Sequence, residues 1–566
     1  MTATFRRNLA ILHQSQPEAA RAVEAAEPPP YLTVEAARNG LPNLVAVTHG
    51  TSRSLHSRVD PAKEAERLAA VLSPETGLVV LFGLGAGHHL RSVLSRRRVR
   101  AVILCEPDPA FVTVALEISG VGELLGDTRV TLLSPCTEGA MTQVVGSTYA
   151  PLFHRQAAFL PLRGRTDLER DAFAAMQAAA RRGVEQALAD FATQRAFGRR
   201  WLHNILINLA ALRRSVDPVP REAPCIVTAA GPSLERLFHE GTFDPDSTVV
   251  ATDTSLPMLL QRGLQPHFVV TIDSQLASYH HFLRGVPEGS ILVADVTASP
   301  TALRQARCVS LRIGGHPLGR YFSRQIGGLG SLYTSAGSVT HAALSFAHEH
   351  SGRSHIRLFG ADFAYPRGEA YARDSYLHRH FRLQESRLGP AEHAFADFVY
   401  RRAERRPLDG AANDADETLH YVSALLDAYG RSLTSLADEL GIHPIRATSA
   451  GTTAPPRSDG LGRGTNRGPA SVPVFRELAL SSARDLFARY LKDLTALTPP
   501  DPRQILDLEA LSPVHAELWH TLAPLAAVRA RCKEETGVPV EPPAVSLEEA
   551  RQETIATIRG VLAAWR

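Results

Sequence analysis

The stretch Cys225-Ile-Val-Thr-Ala-Ala-Gly-Pro-Ser-Leu-Glu-Arg-Leu237 joins an apolar β-branched run to small residues and then to a helical pattern. It predicts a strand, a tight turn and a helix start. Small residues at such a turn let backbone approach a ligand closely. Pro232 suits the first turn of a helix. A helix N-terminus offers free N–H groups and a positive dipole end to a phosphate, and Ser233 can cap that helix or bond a ligand. Gly231, Pro232 and Ser233 are therefore candidate nucleotide-binding residues. More polar groups follow in order. Strand Thr248–Thr252 runs into Asp253-Thr254, the strand from His267 to Ile272 into Asp273-Ser274, and the strand from Ile291 to Ala294 into Asp295. Tyr333-Thr-Ser-Ala-Gly-Ser338 opens a helix from Val339 to His348 and supplies Ser335, Gly337 and Ser338. Strand Ile356–Phe359 ends in Gly360-Ala361-Asp362. Apolar strands alternating with helices predict a parallel sheet covered on both faces. Ligands on such sheets bind beyond the carboxyl ends of the strands, where all these groups fall.

A second α/β unit lies nearer the N-terminus. Leu78–Phe82 reads as a strand, Gly83-Leu-Gly85-Ala-Gly87 as a turn, and Leu90 and Val93 as helix positions; a further strand, Ala101–Cys105, ends in Glu106-Pro107-Asp108. A glycine turn followed about 20 residues later by an acid is the layout of a Rossmann-like nucleotide site, the acid bonding ribose hydroxyls. The preferred reading is a Rossmann-like unit whose glycines serve close strand-to-helix packing, because no base or nucleophile pattern accompanies them. The main chemistry is expected in the central segment.

The elements around these sites divide the chain into a Rossmann-like domain (1–165), connecting helices (166–221), a central nucleotide-binding domain (222–446), a Gly/Pro/Ser/Arg-rich linker or loop (447–475) and a C-terminal helical bundle (476–566). Asn204 and Asn208 share one face of the connecting helix, where packing hydrogen bonds are the plainer account of buried amides. In the bundle, Ser546-Leu-Glu-Glu549 reads as a capping box. The 566 residues exceed one ordinary core. A net charge of +3 gives no whole-protein field for nucleic acid. The five cysteines form no Cys-x-x-Cys pair and fit a reducing compartment. No apolar run approaches the ~18 residues of a membrane span. A cytoplasmic location is expected.

The central segment resembles the nucleotide loops of bacterial sialyltransferases that use CMP-sialic acid. The likeness rests on Thr228-Ala-Ala-Gly-Pro-Ser-Leu234, on Thr334-Ser-Ala-Gly-Ser-Val339, and on Asp362-Phe-Ala-Tyr365 with Tyr371 six residues on. The whole chain is closer still to the motility-associated factor (Maf) proteins of flagellated bacteria. Their core is sialyltransferase-like and is also related to 6-hydroxymethylpterin pyrophosphokinase. Leu55-His-Ser-Arg-Val-Asp-Pro-Ala-Lys-Glu-Ala65, Leu81-Phe-Gly-Leu-Gly85 and Arg199-Arg-Trp-Leu-His-Asn-Ile-Leu206 carry the likeness outside that core. The resemblance implies an α/β fold with a GT-A-like parallel sheet. It implies transfer of a nonulosonic, sialic-acid-like sugar from a CMP donor to serine or threonine of flagellin. Tyr365 and Tyr371 would contact the departing phosphate.

This sequence departs from the pattern in places. Asp253 and Asp273 stand where the sialyltransferases have asparagine, and His267 where Maf proteins often have Asp. The general base has candidates at His378, His380 and His393. Two other readings stand beside the first. One is a pyrophosphokinase in which Asp253, Asp273 and Asp362 hold Mg²⁺ between ATP phosphates. The other is a non-catalytic nucleotide-binding factor in flagellar assembly.

Overall fold

The computed structural model describes residues 2–48, 50–211, 214–239, 246–327, 329–335, 337–352, 355–366, 371–390, 393–394, 397–398, 406–407, 420–442, 445–446, 473–479, 482–497, 513–535 and 543–564. The chain forms two compact units: residues 1–198 with 498–553, and residues 199–497 with 554–566.

The first unit holds an antiparallel sheet of β1 (Leu32–Ala36), β2 (Pro42–Thr48) and β3 (Thr51–Ser54). Its parallel sheet has β4 (Thr76–Phe82), β5 (Ala101–Cys105), β6 (Val130–Leu133) and β7 (Gln156–Pro161) in the order β6-β5-β4-β7. Strand side chains alternate between faces. Val79, Leu81, Val102 and Leu104 enter one core, and Leu78, Val80, Phe82 and Ile103 enter another. Burial on both faces explains why these strands are continuous apolar runs.

The second unit is built on a seven-stranded parallel sheet. Its strands are β9 (Cys225–Thr228), β10 (Thr248–Thr252), β11 (Phe268–Thr271), β12 (Ile291–Asp295), β13 (Cys308–Arg312), β14 (Ile356–Phe359) and β18 (Ile445–Arg446). The order is β13-β12-β11-β10-β9-β14-β18. The chain steps outward from β9 to β13, then returns to lay β14 on the other side of β9. The direction of winding therefore reverses between β9 and β14. A crevice opens at such a reversal, beyond the carboxyl ends of the strands. Strand β8 (Arg214–Pro218) pairs antiparallel with β19 (Phe475–Ala479). A small antiparallel sheet joins β15 (Tyr365–Pro366), β17 (His420–Val422) and β16 (Arg406–Pro407).

One helix of 42 residues, Arg170–Ala211, accounts for the alanine-rich run. At 1.5 Å per residue it is about 63 Å long. Helices Ala483–Ala496, Pro513–Glu535 and Pro543–Ala564 follow near the C-terminus, shared between the two units. Ser546 does not cap the last of them. That helix starts at Pro543, and Ser546 is buried inside it. Proline at the start needs no N–H partner, so the helix begins a turn earlier than the capping pattern predicts. Apart from residues 473–475, the stretch 447–475 lies outside the described residues.

Candidate active site

The loops leaving β9 and β14 are tied together across the point of reversal. Ala229 and Gly231 N–H groups donate to the Phe359 and Gly360 carbonyls, both at 2.8 Å. The Ser233 backbone N–H and hydroxyl both donate to Asp362 Oδ2 at 3.0 Å, and Ser233 Oγ accepts the Gly360 N–H at 3.0 Å. Gly360 has a φ of +75°, and a Cβ on it would overlap the Ala229 carbonyl. A Cβ on Gly231 would meet the Asp362 carboxylate and the Gly360 carbonyl. Both glycines are thus required by close approach of the two loops.

This changes two expectations. The Ser233 hydroxyl clasps the loops rather than facing a ligand, and it is buried. The expected helix start is a 3₁₀ turn, Pro232–Glu235, closed by Leu234 N–H to Gly231 O at 3.0 Å and running into the α-helical residues Arg236–His239.

Asp253, at the end of β10, is buried. Its Oδ1 accepts the Thr254 N–H at 2.7 Å and its Oδ2 the Thr271 hydroxyl at 2.8 Å. Burial raises its carboxyl above the ordinary range, against the pull of His281 and those two hydrogen bonds, and Asp273 pushes the same way as burial. Thr254 is half-buried, its hydroxyl 3.1 Å from that of Thr252. Asp273 Oδ1 accepts the Gln275 N–H at 2.8 Å. Ser274 is buried, and its carbonyl accepts from Asn204 at 3.0 Å. Asp295 accepts the Thr297 N–H at 2.8 Å and the Gly314 N–H at 2.6 Å, which makes it a loop anchor.

Asn204 also donates to Thr297 O, and Asn208 donates to Val296 O and Ala298 O, each at 2.9 Å. The two amides hold the loops after β11 and β12 from behind, as the packing account expects.

The half-buried Tyr371 stands with Tyr365 and Asp253: burial, then Tyr365 and Asp253, raise its phenol above the usual value. It therefore stays protonated, a donor, near neutral pH. Residues 367–370 between the tyrosines lie outside the described set. At the second turn, Ser335 and Gly337 are exposed; Ser338 caps the helix Val339–Ser351 by accepting the Thr340 N–H at 3.3 Å. The turn is joined to the rest through rings: Phe363 lies 6.0 Å from His341 and 6.4 Å from Tyr429, and the Tyr429 hydroxyl faces Gly337.

Among the expected bases, His380 is on helix Tyr376–Leu383, 5.8 Å from the Tyr376 ring, with its Nε2 3.2 Å from Gln384 Nε2. His378 is on the same helix, but its side chain lies outside the described set. His393 is exposed. Sequence reasoning missed His281. It sits on the 3₁₀ segment Leu276–Phe282 after Asp273, 5.6 Å edge-on to Tyr376, and its Nδ1 is buried with no hydrogen-bond partner among the described residues. His280 stacks on the same Tyr376 ring at 4.7 Å. No spacing signal marks His281; it follows a strand-end acid, as the other candidates did not.

The N-terminal glycine turn is arranged differently. Glu106 is fully buried and accepts from Arg165 at 2.7, 3.1 and 3.2 Å, while Arg165 also donates to Glu169. Asp108 caps the next helix through the Ala110 N–H at 2.9 Å. A Cβ on Gly83 would strike Arg165, at 2.7 Å from Cγ. The acid expected for ribose is engaged by a guanidinium of the chain itself, and the turn packs against side chains, as the preferred reading has it.

A parallel sheet with clasped loops at its reversal, and with Tyr365, Tyr371 and a buried carboxyl beside them, is the frame of an α/β transferase. The description "Glycosyltransferase Maf N-terminal domain" matches residues 43–121, and "6-hydroxymethylpterin diphosphokinase MptE-like" matches residues 201–368. Two uncharacterized proteins of Treponema pallidum (strain Nichols) are similar. One is 31% identical over 164 residues, which is 27% of this chain and 74% of that protein. The other is 28% identical over 184 residues, 32% of this chain and 63% of that protein. The solved Maf glycosyltransferase from Magnetospirillum magneticum AMB-1 has the same fold at a TM-score of 0.56, with 14% identity, over 99% of this chain and 96% of that one. The chain is thus similar to Maf glycosyltransferases in fold and, over residues 43–121, in sequence. No helix among the described residues is long and apolar enough to cross a membrane.

Proposed function

We propose that the chain transfers a nonulosonic sugar from a CMP donor to a serine or threonine hydroxyl of flagellin, at the strand ends of the second unit. The observation that carries this reading is the meeting of Gly231, Asp253, Asp362, Tyr365 and Tyr371 at the reversal between β9 and β14. The acceptor oxygen attacks the anomeric carbon as its bond to the CMP phosphate breaks, through an oxocarbenium-like state. The phosphate leaves with added negative charge. Hydrogen-bond donors fixed at that oxygen stabilise the charge as it develops. Protonated Tyr371 and its neighbour Tyr365 fit that task. The acceptor proton passes to an imidazole, which suits this work near neutral pH. His281 joins His378 and His380 as a candidate, since it is tied electrostatically to Asp253.

A second reading, Mg²⁺-dependent diphosphate transfer from ATP, is favoured by the match at residues 201–368. Thermal shift with CMP, and with ATP plus Mg²⁺, separates the two. CMP should raise the melting temperature without metal. Stabilisation by ATP and Mg²⁺ alone would overturn the glycosyl-transfer reading. Nucleotide binding without any donor turnover in the presence of flagellin would favour an assembly factor.

A further inference from the structure

A second cluster of reactive side chains lies in the first unit. His56 follows β3, Glu64 stands in the first turn of helix Pro61–Ala70, and His89 in the first turn of helix His88–Leu94. One ligand atom from each lies within 4.8 Å of the other two. The two imidazoles are buried, at 3% exposure each, whereas the Glu64 side chain is 41% exposed. His56 Nδ1 and both nitrogens of His89 are buried without a hydrogen-bond partner among the described residues. Buried polar atoms are nearly always paired, so unpaired nitrogens on two imidazoles beside one carboxylate call for an occupant. The first shell is held in place by its neighbours. The Ser57 N–H fixes Glu64 at 2.8 Å, and Asp60 caps the helix that carries it by accepting the Lys63 N–H at 2.9 Å.

We propose that His56, Glu64 and His89 bind a divalent transition-metal ion of the zinc class. Two imidazoles and a carboxylate are the ligand types such ions take, and they leave one coordination position for water. Magnesium and calcium prefer all-oxygen shells, which this set does not offer. Metal–ligand bonds of about 2.0–2.1 Å require the donors to draw closer than they stand. Half-exposed Glu64 has the freedom to close, and it gives the ion its entry path.

One existing bond must yield. His56 Nε2 accepts the Ala86 N–H at 2.9 Å. A ring that ligates through Nδ1 carries its proton on Nε2, and two donors then face each other. Ala86 lies between Gly85 and Gly87, at φ of +52° and +82°, in the glycine turn. A Cβ on Gly85 would overlap His56 Nε2. Metal occupancy is thereby coupled to the position of that turn.

The test uses the full chain, stripped with a chelator and titrated with Zn²⁺ alone by calorimetry, with Mg²⁺ as control. Zn²⁺ should bind saturably at this site, and Mg²⁺ should not compete. Glu64→Gln and His89→Ala should each weaken that event at least tenfold. Amide exchange at Ala86 should speed up on loading. The chain has 23 histidines, so zinc held elsewhere is the chief rival. Zinc binding of equal affinity and stoichiometry in both variants overturns the proposal. If His89→Ala does not fold, the half-exposed Glu64→Gln decides the matter by itself.

Discussion

At the scale of single residues, Asp253 and Tyr371 carry the most information. The Asp253 carboxyl is raised by burial and sits between a backbone N–H and a hydroxyl. An asparagine amide has the same shape, with one oxygen to accept and an NH₂ to donate where the carboxyl has two oxygens. In Asp253→Asn the amide oxygen keeps the Thr254 N–H, and the NH₂ turns to the Thr271 oxygen. CMP affinity should stay within about threefold of wild type, under 1 kcal/mol. Loss of CMP binding by more than a hundredfold would mean that the negative charge is needed, and would favour a metal-bridged phosphate. For Tyr371→Phe the expectation is the reverse. A donor to the leaving phosphate acts mainly in the transition state, so its loss should lower turnover about 100- to 1000-fold, or ~2.7–4 kcal/mol, with CMP affinity little changed. Donor hydrolysis and CMP binding measured in parallel check this, and wild-type turnover would make the ring structural.

At the scale of elements, β4 and β5 of the first parallel sheet and β9 to β12 and β14 of the second were legible because burial on both faces demands unbroken apolar β-branched runs, such as Cys225–Thr228 and Ala101–Cys105, whereas β6, β7, β13 and β18 were not legible. Gly263 follows the helix Leu256–Gln261 at a φ of +74°, the conformation in which a glycine ends a helix. Three kinds of feature were not legible. The partner of Ser233 is Asp362, 129 residues away, which takes its N–H and hydroxyl. Pairing of β8 with β19 joins segments too far apart for any local period to relate. His56 and His89 meet through the glycine turn, and His281 reaches Asp253 through a 3₁₀ segment; neither placement leaves a spacing signal. Asn208 tests the packing of elements directly. Its amide bridges the Val296 and Ala298 carbonyls. Asn208→Ala leaves both buried acceptors unpaired, at about 1–3 kcal/mol each. The urea midpoint should fall by the corresponding amount, while CMP affinity of the folded protein holds. An unchanged midpoint with lost CMP binding would move Asn208 from scaffold to ligand contact.

At the scale of the whole molecule, stability should be sensitive to mild acid. Buried neutral histidines are spread over both units. Burial lowers His154 in the first, and His267 and His350 in the second, to about 4, and His316 to about 3. His267 shows why. It is 6% exposed, and its Nδ1 accepts the Val249 N–H at 3.0 Å, which ties the start of β11 to β10. Protonation removes that acceptor and places a charge among buried groups. In the unfolded chain the ring titrates near 6.5. The folded value is lower, so this stabilisation is full above pH 6.5 and is lost as pH falls towards 4. Each pH step of one between the two titration points is worth about 1.4 kcal/mol, so His267 accounts for roughly 2–3 kcal/mol by pH 4.5. His267→Asn places an amide oxygen where Nδ1 stands, for the same N–H, and does not titrate. Urea unfolding at pH 7.5, 5.5 and 4.5 should therefore show a smaller acid loss in the variant than in the wild type. The difference should appear between pH 6.5 and 4 and vanish above it. Equal losses in the two proteins would place the acid response in other groups, since the Val249 bond would then be surviving protonation of its only acceptor.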